Sequence, residues 1–276
     1  MYKRLLTIQD ISCVGQCSLT VAQPVISACG VETSVLPSAV LSTHTAGFKG
    51  YTFRDLTGDM APIEKHWISE NIKFDAFYTG YVCASQIDPI LSIMSSCAAA
   101  GALRIVDPVM GDNGKLYPGF ADDFPQEMKR LCNGADCLLP NLTEAALLLG
   151  EECRLEGYNE AYIESTVKKL YDLGAKTVVL TGVSFDPSKL GFATYDGKNI
   201  QYHFNDRLSK MTHGTGDVFA SVFAGAMVRG CDAHKAAQIA ADVVCEAIRN
   251  TPDEHWYGVR FELAIPYLVD ILAKNC

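Results

Sequence analysis

Six short apolar runs separated by helical patterns constrain this chain more than any other feature. Arg4–Gln9, Val31–Leu36, Phe74–Tyr78, Leu103–Val106, Cys137–Leu139 and Thr177–Leu180 read as strands. Between them, helical patterns occupy Ser18–Cys29, Ile63–Asn71, Ile87–Ala100, Glu127–Leu131, Glu144–Leu149 and Tyr162–Leu173. Strands that alternate with helices build βαβ units, and hence an α/β fold with a mainly parallel sheet covered on both faces. Phe192–Tyr195 and Ile200–Phe204, joined through Asp196-Gly197, read as a hairpin. Helices are expected at about 218–229, 232–249 and 260–273.

The strands end in polar residues. Asp10, Gly80-Tyr81, Asp107-Pro108, Pro140-Asn141 and Thr181-Gly182 all follow apolar runs. Ligands of open α/β sheets bind at the carboxyl ends of the strands, so these five exits point to one crevice. Each alone is an ordinary turn.

Composition narrows the partners. The 276 residues contain no Pro/Ser-rich linker, low-complexity tract or short repeat, so residues 1–276 read as one domain. Net charge is -9 and no basic run occurs, which argues against nucleic acid, because a phosphate backbone is held by clustered Lys and Arg. Eleven scattered cysteines form no C-x-x-C pair, and read as mostly buried free thiols in a reducing cytoplasm. The longest apolar stretch, Val218–Val228, is too short to span a bilayer, so no membrane role is expected.

The chemistry concentrates in His213-Gly-Thr-Gly-Asp217. Gly214, Thr215 and Gly216 can offer backbone N–H groups at the start of the apolar helix that follows, which makes an anion site. An acid beside an anion site makes sense if Asp217 takes a proton from a hydroxyl that attacks a phosphoryl group. Read plainly, Asp217 only complements the helix dipole. Asp107 and Asp112 lie in a Gly-rich segment able to hold magnesium through waters, or to form a surface turn. Asn141 and Glu144 lie one helical turn apart, the spacing of a helix cap. His44 sits in the polar run Ser42-Thr-His-Thr-Ala-Gly47 and reads equally as a structural hydrogen-bonding group. No P-loop, G-x-S-x-G or H-E-x-x-H motif occurs.

Together these elements resemble the pyridoxal kinase branch of the ribokinase superfamily. The likeness runs from Ile8-Gln9 through Ser42-Thr-His-Thr45, Thr79-Gly-Tyr81, Asp107-Pro-Val-Met-Gly-Asp112, Pro140-Asn-Leu-Thr-Glu144 and Val179-Leu-Thr181 to Gly214-Thr-Gly-Asp217. It implies a ribokinase-like three-layer α/β/α sandwich and ATP-dependent phosphorylation of the 5′-hydroxymethyl group of a B6 vitamer. It implies Asp217 as general base and Gly214, Thr215 and Gly216 as anion hole. His44, Thr45 and Tyr81 would line the pyridine pocket. Asp107, Asp112, Tyr117, Asn141, Glu144 and Thr181 would serve ATP, with Asp112 and Glu144 ordering Mg2+ through water. A monovalent cation (K+ or Na+) and a homodimer are further implications. Asp10 stands where relatives often carry serine; a carboxylate there could pair with a cationic vitamer, or merely contact Ser12. The rival readings are a hydroxymethylpyrimidine kinase and a catalytically silent ligand-binding homologue.

Overall fold

The computed structural model describes residues 2–210 and 212–276; Met211, at the head of the glycine-rich run, lies outside the described residues. The chain forms two compact units, Met1–Leu103 with Leu208–Cys276, and Arg104–Arg207. The first opens with β1 (Arg4–Ser12), α1 (Leu19–Ala28), β2 (Glu32–Leu41), β3 (Phe53–Asp55), α2 (Thr57–Ser69), β4 (Phe74–Thr79), α3 (Ile87–Ser96) and β5 (Ala98–Val106), whose last residues belong to the second unit. The second continues with β6 (Gly111–Asp112), β7 (Lys115–Leu116), α4 (Phe124–Cys132), β8 (Cys137–Leu138), α5 (Leu142–Leu149), α6 (Glu160–Tyr171), β9 (Val178–Val183), β10 (Lys189–Tyr195) and β11 (Ile200–Asp206). The first unit closes with α7 (Thr215–Arg229), α8 (Ala233–Arg249) and α9 (Ile265–Asn275).

In the first unit the strand order is β5-β4-β1-β2-β3. β1 pairs parallel with both β2 and β4, and β3 adds an antiparallel edge. Leu5, Leu6, Ile8, Phe74 and Phe77 are fully buried, as expected of strands covered on both faces. The β1–β2 register slips once: Gln9 faces Pro37 but Ile11 faces Val40. Asp10 lies at this slip. An extra residue in a strand bends it and re-aims the neighbouring side chains, and Pro37 cannot donate to the ladder. α7 packs against α1 and α8.

In the second unit β5, β8 and β9 run parallel, and the β9–β10–β11 meander is antiparallel. The hairpin read from Asp196-Gly197 is β10–β11, with Gly197 at φ +88°.

Several boundaries differ from the sequence reading. The helix expected to reach Ala100 stops at Ser96, and Ala98, Ala99 and Ala100 begin β5. Alanine's helix preference is weak against strand pairing. β1 does not end at Asp10 but continues to Ser12, and β2 runs on to Leu41 through Pro37. α2 starts at Thr57, ahead of Pro62. The short pairs β2–β3 and β6–β7 were not expected. The reading of all cysteines as free thiols is corrected: Cys231 and Cys276 form a disulfide with Cα atoms 5.5 Å apart. Among the described residues, Cys29, Cys97, Cys132 and Cys137 are buried thiols outside that disulfide. No helix among the described residues is long and apolar enough to cross a membrane.

Candidate active site

The glycine-rich run becomes the start of α7. Gly214 is its N-cap, with φ +80° and ψ 0°, and uses no side-chain cap. Its carbonyl accepts the first helical bond, from the Val218 N–H at 3.0 Å. The N–H groups of Thr215, Gly216 and Asp217 precede that bond and have no partner in the helix ladder. Gly214 is required twice over. Its φ is in the left-handed region, and a Cβ there would collide with the Gln16 carbonyl oxygen. Gly216 faces open space. The result is a row of amides at a helix N-terminus without a side-chain cap, a geometry that attracts anions.

Asp217 lies in the first turn of α7 and is partly accessible. Burial raises its proton affinity, which the Ser18 N–H and the Cys17 thiol oppose by donating to the carboxylate, and Asp10 adds to it as a like charge. The outcome is a carboxyl pushed up to about 7. Cys17 and Ser18 were missed by the sequence reading, because their contact with Asp217 joins the β1–α1 segment to a helix some 200 residues later.

The other predicted residues of this unit collect around Asp10. Its buried carboxylate accepts from Ser12 Oγ at 2.9 Å. Desolvation raises its pKa, with Ser18 and Ser12 hydroxyls and His44 acting in the opposite direction. His44 Nδ1 accepts from the Ala46 N–H at 3.1 Å, so Nε2 carries the proton and donates to the Tyr257 carbonyl at 2.6 Å. Desolvation lowers the His44 pKa and favours this neutral tautomer. Both ring nitrogens are thus engaged by the backbone, and the ring offers its face and edge, against Phe48 at 4.9 Å and His213 at 5.6 Å. Thr45 is exposed beside it. Tyr81 is half-buried, and its phenol is raised by desolvation, then by Cys83 and Asp10.

The second unit assembles the remaining residues. Asn141 is the N-cap of α5 and completes a capping box with Glu144. Asn141 Oδ1 accepts from the Glu144 N–H at 2.9 Å, and Glu144 Oε2 accepts from the Asn141 N–H at 2.9 Å. Glu144 Oε1 accepts from the Met110 N–H at 3.2 Å, and Asn141 Nδ2 donates to the Gly111 carbonyl at 3.0 Å. The buried Glu144 has its pKa raised by desolvation, countered by backbone donors and reinforced by Asp112. Asp107 is buried, and its charge acts with that of Glu144 on Cys132. Thr181 lies in β9, with its N–H on the Pro140 carbonyl at 2.9 Å.

Asp112 ends the two-residue strand β6, and Asn113-Gly114 turn the chain into β7 with φ +53° and +75°, the signs of a type I′ hairpin turn. Asp112 accepts from the Asn113 N–H at 2.8 Å and side-chain amide at 3.0 Å. The hairpin tip is held by Thr143 Oγ1, which accepts from the Gly114 N–H at 3.0 Å. Tyr117 follows, exposed, with its N–H on the Met110 carbonyl at 2.8 Å. Thr143 was also missed by the sequence reading.

Among the described residues no three His, Cys, Asp or Glu side chains come close enough to hold a metal directly. Magnesium keeps several waters and needs only one or two carboxylates besides phosphate oxygens. Asp112 and Glu144, with the charge of Asp112 adding to the proton affinity of Glu144, fit an ion held in that way.

Residues 25–258 match the phosphomethylpyrimidine kinase family. A Bacteroides thetaiotaomicron structure assigned to phosphomethylpyrimidine kinase, in a crystal form with pyridoxal, is 32% identical and superposes with a TM-score of 0.90 over 97% of this chain and 96% of that one. The pyridoxal kinase of Lactobacillus plantarum is 31% identical, with a TM-score of 0.87 over 98% of each chain. A pyridoxal kinase of Granulibacter bethesdensis is 26% identical over 90% of each chain. With its ribokinase-like α/β fold, the chain is a kinase that belongs to the phosphomethylpyrimidine kinase family, in its pyridoxal kinase branch.

Proposed function

We propose that the protein transfers the γ-phosphoryl group of ATP to the 5′-hydroxymethyl oxygen of pyridoxal, pyridoxamine or pyridoxine. The observation that carries this reading is Asp217: a partly accessible carboxylate with proton affinity near neutrality, in the first turn of α7 with the amides of Thr215 and Gly216. A general base works best when its pKa lies near the operating pH. Asp217 takes the hydroxyl proton as the oxygen attacks the γ-phosphorus. The bond from that phosphorus to the ADP oxygen breaks, and ADP leaves. The amides of Thr215, Gly216 and Asp217, presented by Gly214, stabilise charge on the phosphoryl oxygens during transfer.

On this reading His44 and Tyr81 border the heteroaromatic ring, with Thr45 at its edge, and Asp10 faces a cationic group of the vitamer. Asp107, Asp112, Tyr117, Asn141, Glu144 and Thr181 serve the nucleotide. Asp112 and Glu144 would hold magnesium, which when bound would neutralise charge on the phosphates. The cytoplasm, with its reducing thiol pool, suits the buried thiols of Cys29, Cys97, Cys132 and Cys137, and a homodimer belongs to the same proposal, tested by light scattering.

The test is initial rates with ATP and magnesium across the three vitamers and hydroxymethylpyrimidine, for the wild type and Asp217→Asn. The expected result is turnover of at least one vitamer, with kcat lowered by roughly two to four orders of magnitude in the variant. Near-normal turnover by Asp217→Asn would remove the assigned base. Activity on hydroxymethylpyrimidine alone would move the substrate to the other ring, which the family match also accommodates.

A further inference from the structure

Hydrogen bonds at its base and at its tip hang the β6–β7 hairpin from the first turn of α5. At the base, Asn141 Nδ2 donates to the Gly111 carbonyl at 3.0 Å, and the Met110 N–H to Glu144 Oε1 at 3.2 Å. At the tip, Thr143 Oγ1 accepts from the Gly114 N–H at 3.0 Å. Asp112 lies between base and tip, at the last position of β6. The base anchors hold Met110 and Gly111 against α5. The tip contact adds a hold at Gly114, on the far side of Asp112.

We propose that Thr143 is a positioning residue for the nucleotide: its hydroxyl latches the hairpin tip and so fixes Asp112 relative to Asn141 and Glu144. The proposal rests on the reading of those three residues as the nucleotide-phosphate side of the site. Thr143 is 1% exposed, so its hydroxyl is held in one place by packing, whereas Gly114 and Asn113 are exposed. A buried, fixed acceptor and an exposed donor are the parts a latch needs. The Cys153 thiol points at the same oxygen from 3.8 Å, but a thiol is a weak donor and leaves room for the Gly114 amide. The β6–β7 ladder spans only two residues on each strand, too short to be stiff alone.

Thr143→Val removes the acceptor at nearly constant volume, and the exposed Gly114 N–H can turn to water. The fold therefore survives, with a melting temperature within a few degrees of wild type. Thr143→Ser keeps the hydroxyl. Two measurements read the latch. Hydrogen exchange at the Gly114 amide is expected to speed up roughly 5- to 10-fold in Thr143→Val and to stay near wild type in Thr143→Ser. Calorimetric Kd for the β,γ-imido analogue of ATP with magnesium is expected to weaken about 3- to 10-fold in Thr143→Val, with Thr143→Ser restoring it and the KM for the vitamer unchanged.

Unchanged exchange and unchanged nucleotide Kd in Thr143→Val would overturn the latch, as would a serine variant as impaired as the valine one, or an equal rise in vitamer KM. The binding arm needs no turnover. A wild type inactive on every vitamer would overturn the proposed function while the latch stands or falls on exchange and nucleotide affinity. If Thr143→Val does not fold, Thr143→Ala supplies the same two readings.

Discussion

Asn141 and Glu144 satisfy each other reciprocally, each side chain accepting the other's backbone N–H at 2.9 Å. The pair is at once a helix cap and the anchor of Met110 and Gly111. Asn141→Ala is expected to cost about 1–2 kcal/mol, as loss of a cap does. Glu144→Gln turns an amide donor toward a backbone donor and is expected to cost about 1–3 kcal/mol. Urea titration measures both. If the pair also serves the nucleotide, the KM for ATP rises in each variant while the vitamer KM stays constant.

The raised pKa of Asp217 has two consequences of known sign. Its active form as a base is the ionised one, so kcat/KM is expected to fall on the acid side of about pH 7, from the free enzyme's ionisation. Its contribution to stability runs the other way. The native pKa lies above the ordinary 3.8, so the folded state binds the extra proton and stability declines as pH rises from about 4 to about 7. Asp217→Asn is therefore expected to melt higher than wild type at pH 8, by on the order of 1 kcal/mol, and to show no such gain at pH 4. Thermal melts at the two pH values check the sign. An equal or lower melting point at pH 8 would contradict it.

Gly214 and Gly216 separate two demands on the amide cradle. Gly214→Ala meets the Gln16 carbonyl and a left-handed φ of +80°, and is expected to lose about 2 kcal/mol or more along with activity. Gly216→Ala meets nothing within 4 Å and is expected to fold like wild type. A drop in kcat for Gly216→Ala without loss of stability places its Cβ where the phosphoryl group has to sit. Full activity would move that group elsewhere.

Asp10 is buried at the β1–β2 register slip. Asp10→Ser is expected to lower kcat/KM for pyridoxamine more than for pyridoxal, because only the amine adds a cation for the carboxylate to meet. Equal losses for the two vitamers defeat the pairing and leave the Ser12 contact as the role of this residue.

The alternation of strands and helices was readable because both faces of the parallel strands are buried, so Leu5–Ile8 and Val178–Leu180 are nearly uninterrupted apolar runs. Ala98–Gly101 was not, since alanine fits a helix as well as a strand and only its neighbours decide. The capping geometry of Asn141 and Glu144 was legible from their spacing. The contacts that matter most around Asp217 and Asp112 were not. Cys17, Ser18 and Thr143 act through partners brought to them by the fold, and neither a thiol nor a hydroxyl in an apolar setting announces its acceptor. The Cys231–Cys276 bond joins residues 45 apart with no spacing pattern to mark it.

Gln16 ties together three stretches of chain that are far apart in sequence. Its carbonyl abuts Gly214, its amide nitrogen donates to Glu262 at 2.7 Å, and its amide oxygen meets His255 Nε2 at 2.8 Å. A swap of the glycine-rich turn from another kinase into this scaffold would thus arrive without its matching neighbours. Such a graft has to carry residues 14–18 and 255–262 with it, so this corner of the molecule is inherited, and can be redesigned, only as a single block.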